Sequence, residues 1–205
     1  MDELITQATN SLKSGEVVSL PTETVYSLSV NASDELAVEK IYLLKGRKKD
    51  NPLALLVGSV EQAKNIVQFN ENAEKLAEEF FPGPLTIILQ KKNNSGISDV
   101  VNDGLSTLAV RMPKNDITLN ILNSVKFPIV GTSANPSGMP PAASADEVKG
   151  YFEDKVGLII DDGISDIGVA STIVDLSGGQ PELLRQGFVS QAQIEDVLEA
   201  PLLVR

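Results

Sequence analysis

Apolar and polar positions along this chain switch between a helical and a strand period, with short turns at each change. Residues 2–13, "DELITQATNSLK", read as an amphipathic helix with Gly15 as its stop. A strand follows at 17–20, but the stretch "VVSLPTETVYSLSV" (17–30) breaks at Pro21 into Thr22, Glu23, Thr24 and Tyr26, then resumes as apolar residues alternating with serine. Two readings fit that interruption. Proline lacks an N–H for the ladder and belongs at strand ends or bends. Alternatively, the segment lines a cavity and turns its hydroxyls toward a ligand.

A helix over 34–44 is predicted with Ser33 as N-cap and Lys45-Gly46 as its close, then a buried strand "LALLV" (53–57). Ser59 with Gln62 forms a capping-box pattern for a helix through Val67, and another helix covers 72–80. Strands are expected at 82–90 and 106–113, a helix at 115–125, and at 127–138 a strand running into the polar loop "GTSANPSG". Ser144 with Glu147 opens a helix to Phe152, strands follow at 157–161, 171–176 and 182–187, and Ser190 with Gln193 opens a last helix ended by Pro201. Several strands have no helix between them, so the pattern predicts an α/β fold with a twisted mixed sheet and packed helices. No repeat or linker interrupts it, which predicts one domain over 1–205, with a motif-bearing core at 16–187 and a short helical tail at 188–205.

Composition narrows the chemistry. With 205 residues, 42% hydrophobic, the chain can bury a sizeable core. The absence of cysteine and histidine excludes thiol nucleophiles, Ser-His-Asp triads and His- or Cys-ligated zinc. Hydroxyls, amides, carboxylates, Lys and Arg remain, a set suited to phosphoryl or nucleotidyl transfer, where positioning and charge stabilisation carry the reaction. The net charge of −11 removes any long-range field for nucleic acid, so direct contact with tRNA is expected to be weak or absent. No apolar run reaches the length of a membrane span, and the acidic N-terminus is unlike a signal peptide, so a cytoplasmic location without membrane attachment is expected.

Four segments are candidates for a site. "KGRKKDNPL" (45–53) reads either as a helix C-terminus followed by a turn or as a phosphate rim built on Lys45 and Arg47. "GTSANPSG" (131–138) is either a capped turn or a loop whose glycines admit a phosphate to backbone amides. "LAVRMP" and "LLRQG" each set an arginine, Arg111 and Arg185, into an apolar strand, where it either snorkels at an edge or faces an anion.

The order PTETVY, KGR…NPL, PGPLT, VRMP, SANPSG, STI and LRQG, from Glu16 to Gly187, resembles the threonylcarbamoyl-AMP synthase family, the YrdC-like domain. The resemblance implies a YrdC-like fold with an open, positively lined cavity. It also implies an enzyme that joins L-threonine, bicarbonate and ATP into threonylcarbamoyl-AMP and pyrophosphate, for threonylcarbamoyladenosine in tRNA. Magnesium would enter on the ATP phosphates, and separate tRNA-modifying partner proteins would complete the pathway. Longer members carry a second C-terminal domain; this chain is similar to the short form. By motif, Thr24, Arg111 and Ser171 match threonine-binding positions. Lys45, Arg47, Asn51, Thr107, Ser133, Asn135 and Arg185 match ATP contacts, Lys45 and Arg47 in a catalytic role. Ser27 and Ser29 stand where the family usually has glycine, Leu56 where some members have histidine, Pro141 where a serine is common, and Gly131 also departs from the pattern. Two alternatives stay open: a non-catalytic RNA-binding module, and a paralogue acting on another carbamoyl or acyl adenylate.

Overall fold

The computed structural model describes residues 2–204. Helix α1 (Asp2–Lys13) opens with acidic and closes with basic residues, each favourable against the helix dipole, and Gly15 at φ 74° turns the chain into β1 (Val18–Leu20). The stretch read as one interrupted strand is two: β1 pairs antiparallel with β2 (Ser27–Asn31), Leu20 opposite Ser27, and the polar run 21–26 is the connection between them. Helix α2 (Glu35–Lys45) is capped by Asp34, whose carboxylate accepts from Ala37 N–H. The expected cap, Ser33, instead donates to Gly96 O at 2.7 Å. Gly46 closes the helix in the left-handed region, at φ 60°.

Strand β3 (Ala54–Leu56), helices α3 (Val60–Ile66) and α4 (Glu71–Phe80), and strands β4 (Leu85–Gln90) and β5 (Thr107–Arg111) follow. Then come α5 (Asp116–Ser124), β6 (Ile129–Ser133), α6 (Ala145–Phe152), β7 (Leu158–Ile159), β8 (Thr172–Asp175) and β9 (Glu182–Arg185). Ser59 and Ser144 cap their helices, yet the expected boxes close one residue early, on the N–H groups of Gly58 and Ala143. The box at Ser190 and Gln193 is complete and starts α7 (Gln191–Leu198). The tail is not helical to its end, because Leu203–Val204 forms β10 parallel to β9, covering what would otherwise be an open edge.

Among the described residues ten strands join in one mixed sheet, in the order β10-β9-β8-β4-β5-β3-β6-β2-β1-β7. Its two faces differ because side chains alternate along each strand. Leu28, Val30, Leu55, Ile87, Val110 and Val130 face the main core, against α2, α3, α4, α6 and α7. On the other face, α1 and α5 pack on Val18, Leu20, Leu56, Ile129 and Ile160, toward one edge of the sheet. Among the described residues no helix is long and apolar enough to cross a membrane.

The turn after β9 presses on the backbone of β8. A Cβ on Gly187 would meet main-chain atoms of Ala170, Ser171 and Thr172, whereas Gly178 has open space around it. Gly187→Ala should therefore lower stability by at least about 2 kcal/mol, a fall in Tm of about 4–8 °C. Gly178→Ala should stay within about 0.5 kcal/mol of wild type. Thermal melts of both variants, with equal losses counting against this packing, check it.

Candidate active site

The sheet face that carries α1 and α5 toward its edge is also the floor of a cavity of about 570 Å³. Register brings Gly131, Ala54 and Ala109 side by side on three adjacent strands, so the floor there carries only small groups. A ligand can lie flat there, close to the backbone. At Gly131 even a methyl group would collide with Leu56, so that leucine fits at the cavity's edge because its neighbour is glycine.

The cavity is polar at both ends of the strands. Thr107 and Arg111 lie on the same face of β5, four residues and therefore about 13 Å apart. At the Arg111 end stand Thr86 and Ser171, whose hydroxyls are 2.8 Å apart, with Arg185 donating to Ser171 O at 2.9 Å and to Ser171 Oγ at 3.2 Å. At the Thr107 end stand Ser133, Arg47 and Asn51. Arg47 Nε donates to Asn51 O at 2.8 Å, and its Nη2 reaches Asn51 Oδ1 at 2.7 Å and Pro52 O at 2.8 Å. Arg47, Arg111 and Arg185 thus line one cavity on an acidic protein, and among the described residues Asp175 is the one acidic lining group. Burial pushes all three guanidinium groups below their ordinary pKa; Arg185 is lowered further by the charges of Arg111 and Arg47.

Seven of the ten residues singled out from sequence meet on this wall: Arg47, Asn51, Thr107, Arg111, Ser133, Ser171 and Arg185. The other three lie behind it. Lys45 is buried and donates to Ser133 O, to Asn135 O at 2.7 Å and to Asn135 Oδ1 at 3.3 Å. Its ammonium holds the loop after β6 in shape, as does Asn135 Nδ2, which donates to Pro136 O and Met139 O. Thr24, expected to face substrate, is fully buried, and the wall position belongs to Thr22. Thr22 donates its hydroxyl to Val25 O at 2.6 Å, so in the 2.9 Å contact between the two threonines Thr24 is the donor. The placement has a local cause: the bend at 23–25 turns Glu23 and Thr24 away from the cavity that Thr22, Val25 and Tyr26 line, whereas a strand would have kept Thr22 and Thr24 on one side.

Thr22 and Tyr26 line the cavity, as one reading of their segment allowed, whereas Thr86 and Asp175 are lining groups that the sequence did not single out. Thr22 sits in the quoted PTETVY block and was within reach of sequence reasoning. Thr86 and Asp175 carry no local signal, since their exposure to the cavity depends on which strands become neighbours. Tyr26 also pins the wall: its hydroxyl donates to Gly163 O at 2.8 Å and accepts from Asp162 N–H at 3.1 Å, and burial raises its pKa.

A family model for Sua5, YciO and YrdC proteins, described as "Telomere recombination", matches residues 10–187. Threonylcarbamoyl-AMP synthase of Pyrococcus abyssi is 43% identical over 192 residues, which cover 93% of this chain and 56% of that protein. Its counterpart in Bacillus subtilis is 39% identical over 198 residues, 96% of this chain and 57% of that one. The chain therefore spans little more than half the length of these two relatives. The structure of P. abyssi Sua5 complexed with L-threonine superposes with a TM-score of 0.93 at 42% identity, covering 98% of this chain and 58% of that one. Escherichia coli YciO shares the fold, with a TM-score of 0.85 at 24% identity over 95% of this chain and 94% of that one. The YrdC-like α/β architecture expected from the motif order is the architecture found.

Burial, then the nearby Arg47 charge, pushes Lys45 down to about 8 from an ordinary value of 10.5. Because the folded pKa is the lower one, the unfolded chain binds more protons between these values. The burial penalty on stability is thus present in full below about pH 8 and relieved as pH rises toward 10.5. Lys45→Met should lower stability at pH 7 by about 1–3 kcal/mol, because it leaves the Asn135 carbonyl without its donor and takes one of two donors from Ser133 O, and should speed amide exchange across 133–139. The gap in Tm between wild type and variant should widen from pH 8 to pH 10, and a gap that narrows would contradict the assigned burial.

Proposed function

Because the chain belongs to the Sua5/YciO/YrdC family, we propose that it is a threonylcarbamoyl-AMP synthase, a nucleotidyltransferase that converts L-threonine, bicarbonate and ATP into threonylcarbamoyl-AMP and pyrophosphate. The observation that carries this reading is the two-ended cavity, with cations and hydroxyls at each end of a floor of small side chains. Arg111 and Ser171 take the carboxylate and amine of threonine, and Thr22, steadied by Thr24, borders that end. Arg47, Asn51, Thr107 and Ser133 take the nucleotide at the Thr107 end, Arg185, beside Ser171 at the Arg111 end, meets its phosphates where the two substrates join, and Lys45 and Asn135 shape the loop that carries Ser133. The distance of about 13 Å between the ends suits a product with an amino acid at one side of a mixed anhydride and a nucleoside at the other.

The reaction asks little covalent chemistry of the protein. The threonine amine adds to bicarbonate with loss of water, and a carbamate oxygen then forms a bond to the α-phosphorus as the bond to pyrophosphate breaks. The arginines lower the repulsion among these anions, and hydrogen bonds to developing charge favour the transition state. Among the described residues no cluster of three or more acidic side chains could hold a metal ion, and Asp175 is the sole acidic lining residue. Magnesium would come bound to the ATP phosphates and neutralise part of their charge there. The activated product would pass, in the cytoplasm, to partner proteins that modify tRNA.

Pyrophosphate release should require ATP, L-threonine, bicarbonate and magnesium together, and equal release with threonine omitted would rule the activity out. Arg47→Ala should weaken binding of a non-hydrolysable ATP analogue about ten- to a hundredfold, the loss expected for one charge-assisted contact, while changing L-threonine affinity far less. Calorimetric titration with each ligand separates the two ends, and equal losses for both would show Arg47 to be a general structural support.

A further inference from the structure

One buried ion pair stands beside the cavity. Glu23 and Arg111 are 6% and 8% exposed, with Arg111 Nη2 2.8 Å from Glu23 Oε2. Each of the other ion pairs among the described residues has a partner more than a third exposed. Glu23 is firmly placed: Oε2 also accepts from Lys114 N–H at 3.1 Å, and its main-chain carbonyl accepts from Ile167 N–H at 2.8 Å. The pair is nevertheless incompletely bonded. Glu23 Oε1 is buried with no hydrogen-bond partner, and Arg111 Nη2 makes an ionic contact but no directed hydrogen bond. Of the five guanidinium N–H groups, Nε–H is the one directed at a protein acceptor among the described residues, Gly83 O at 3.2 Å. Arg111 therefore has its charge balanced by Glu23 through the buried Nη2, while Nη1, with no protein acceptor among the described residues, remains for a ligand in the cavity that Arg111 lines.

That arrangement distinguishes Arg111 from its neighbours. Arg47 and Arg185 bond to main-chain carbonyls and an amide or hydroxyl oxygen, with no carboxylate partner among the described residues. A carboxylate that joined Arg111 would share the guanidinium with one already there, at close range and away from water, where like charges repel strongly.

We propose that Glu23 is a positioning residue that holds Arg111 in place and competes with the substrate carboxylate for it, so that it sets a deliberately loose affinity for the amino acid. This rests on the threonine reading of the Arg111 end. Without Glu23 a buried arginine would stand uncompensated and the fold would suffer. With it, the fold is held and the incoming carboxylate meets a cation already half-neutralised.

The test uses Glu23→Gln, which keeps shape and removes charge, and the double variant Glu23→Gln/Arg111→Met. Glu23→Gln should melt about 5–15 °C below wild type, and the double variant should lose clearly less than the sum of the two single variants. Calorimetry should show L-threonine bound about three- to tenfold more tightly by Glu23→Gln than by wild type. If that variant is too unstable to titrate, the same effect appears as a larger threonine-induced rise in Tm. A merely structural glutamate predicts unchanged or weaker threonine binding, and that result overturns the proposal, as do strictly additive melts. Failure of the wild-type chain to bind L-threonine would overturn the functional reading and the competition with it, while the melts would still judge the pairing.

Discussion

Three guanidinium groups repel one another across one cavity, and the fold holds each of them by a main-chain carbonyl oxygen. Asn51 and Pro52 supply it to Arg47, Gly83 to Arg111, and Ser171 to Arg185. Lys45 is held in the same way by Ser133 and Asn135. A carbonyl dipole satisfies an N–H group and fixes its direction without cancelling the charge, whereas a carboxylate would neutralise it. A protein with a net charge of −11 can thereby keep a cationic interior surface for anionic ligands. The carbonyls come from turns at the strand ends, so the site depends on where the chain leaves the sheet as much as on the side chains.

The sheet makes the complementary contribution. Its apolar face is anchored by five helices, which frees part of the opposite face from packing duty. Small residues there leave a floor, and the positions that depart from the family pattern fit it. Ser27 and Ser29 lie in β2 outside the positive-φ residues, with hydroxyls 3.2 Å apart, so serine replaces glycine there without backbone strain. Leu56 is accommodated because Gly131 offers no side chain. Pro141 lies off the cavity wall.

Function and stability meet at the turn after β1. Thr22 turns the chain and faces the cavity, Glu23 reaches Arg111, and Tyr26 ties down the segment 162–163 that leads back to Ser171. The polar run that looked out of place in a core strand is thus a connector between the Arg111 end of the wall and the loop beside it. The buried Glu23–Arg111 pair is the exception to the carbonyl rule, and it sits where an amino-acid carboxylate is proposed to bind.

The sequence by itself determined most of the elements, since period, caps and turn residues are local. The helix at 2–13, the glycine close at Gly46 and the complete capping box at Ser190 needed no knowledge of distant residues. Motif order was also enough to identify the fold and to name seven residues that do gather on one wall. Tertiary structure decided everything that depends on which strands are neighbours and which way a turn points. Thr86 and Ser171 are 85 positions apart and meet because β4 pairs with β8. Thr24 and Lys45 carry the right chemistry in the right motifs, yet one faces a turn and the other faces loop carbonyls. A motif fixes which group is present. The direction of that group follows from backbone dihedrals and distant hydrogen-bond partners that only the folded sheet supplies.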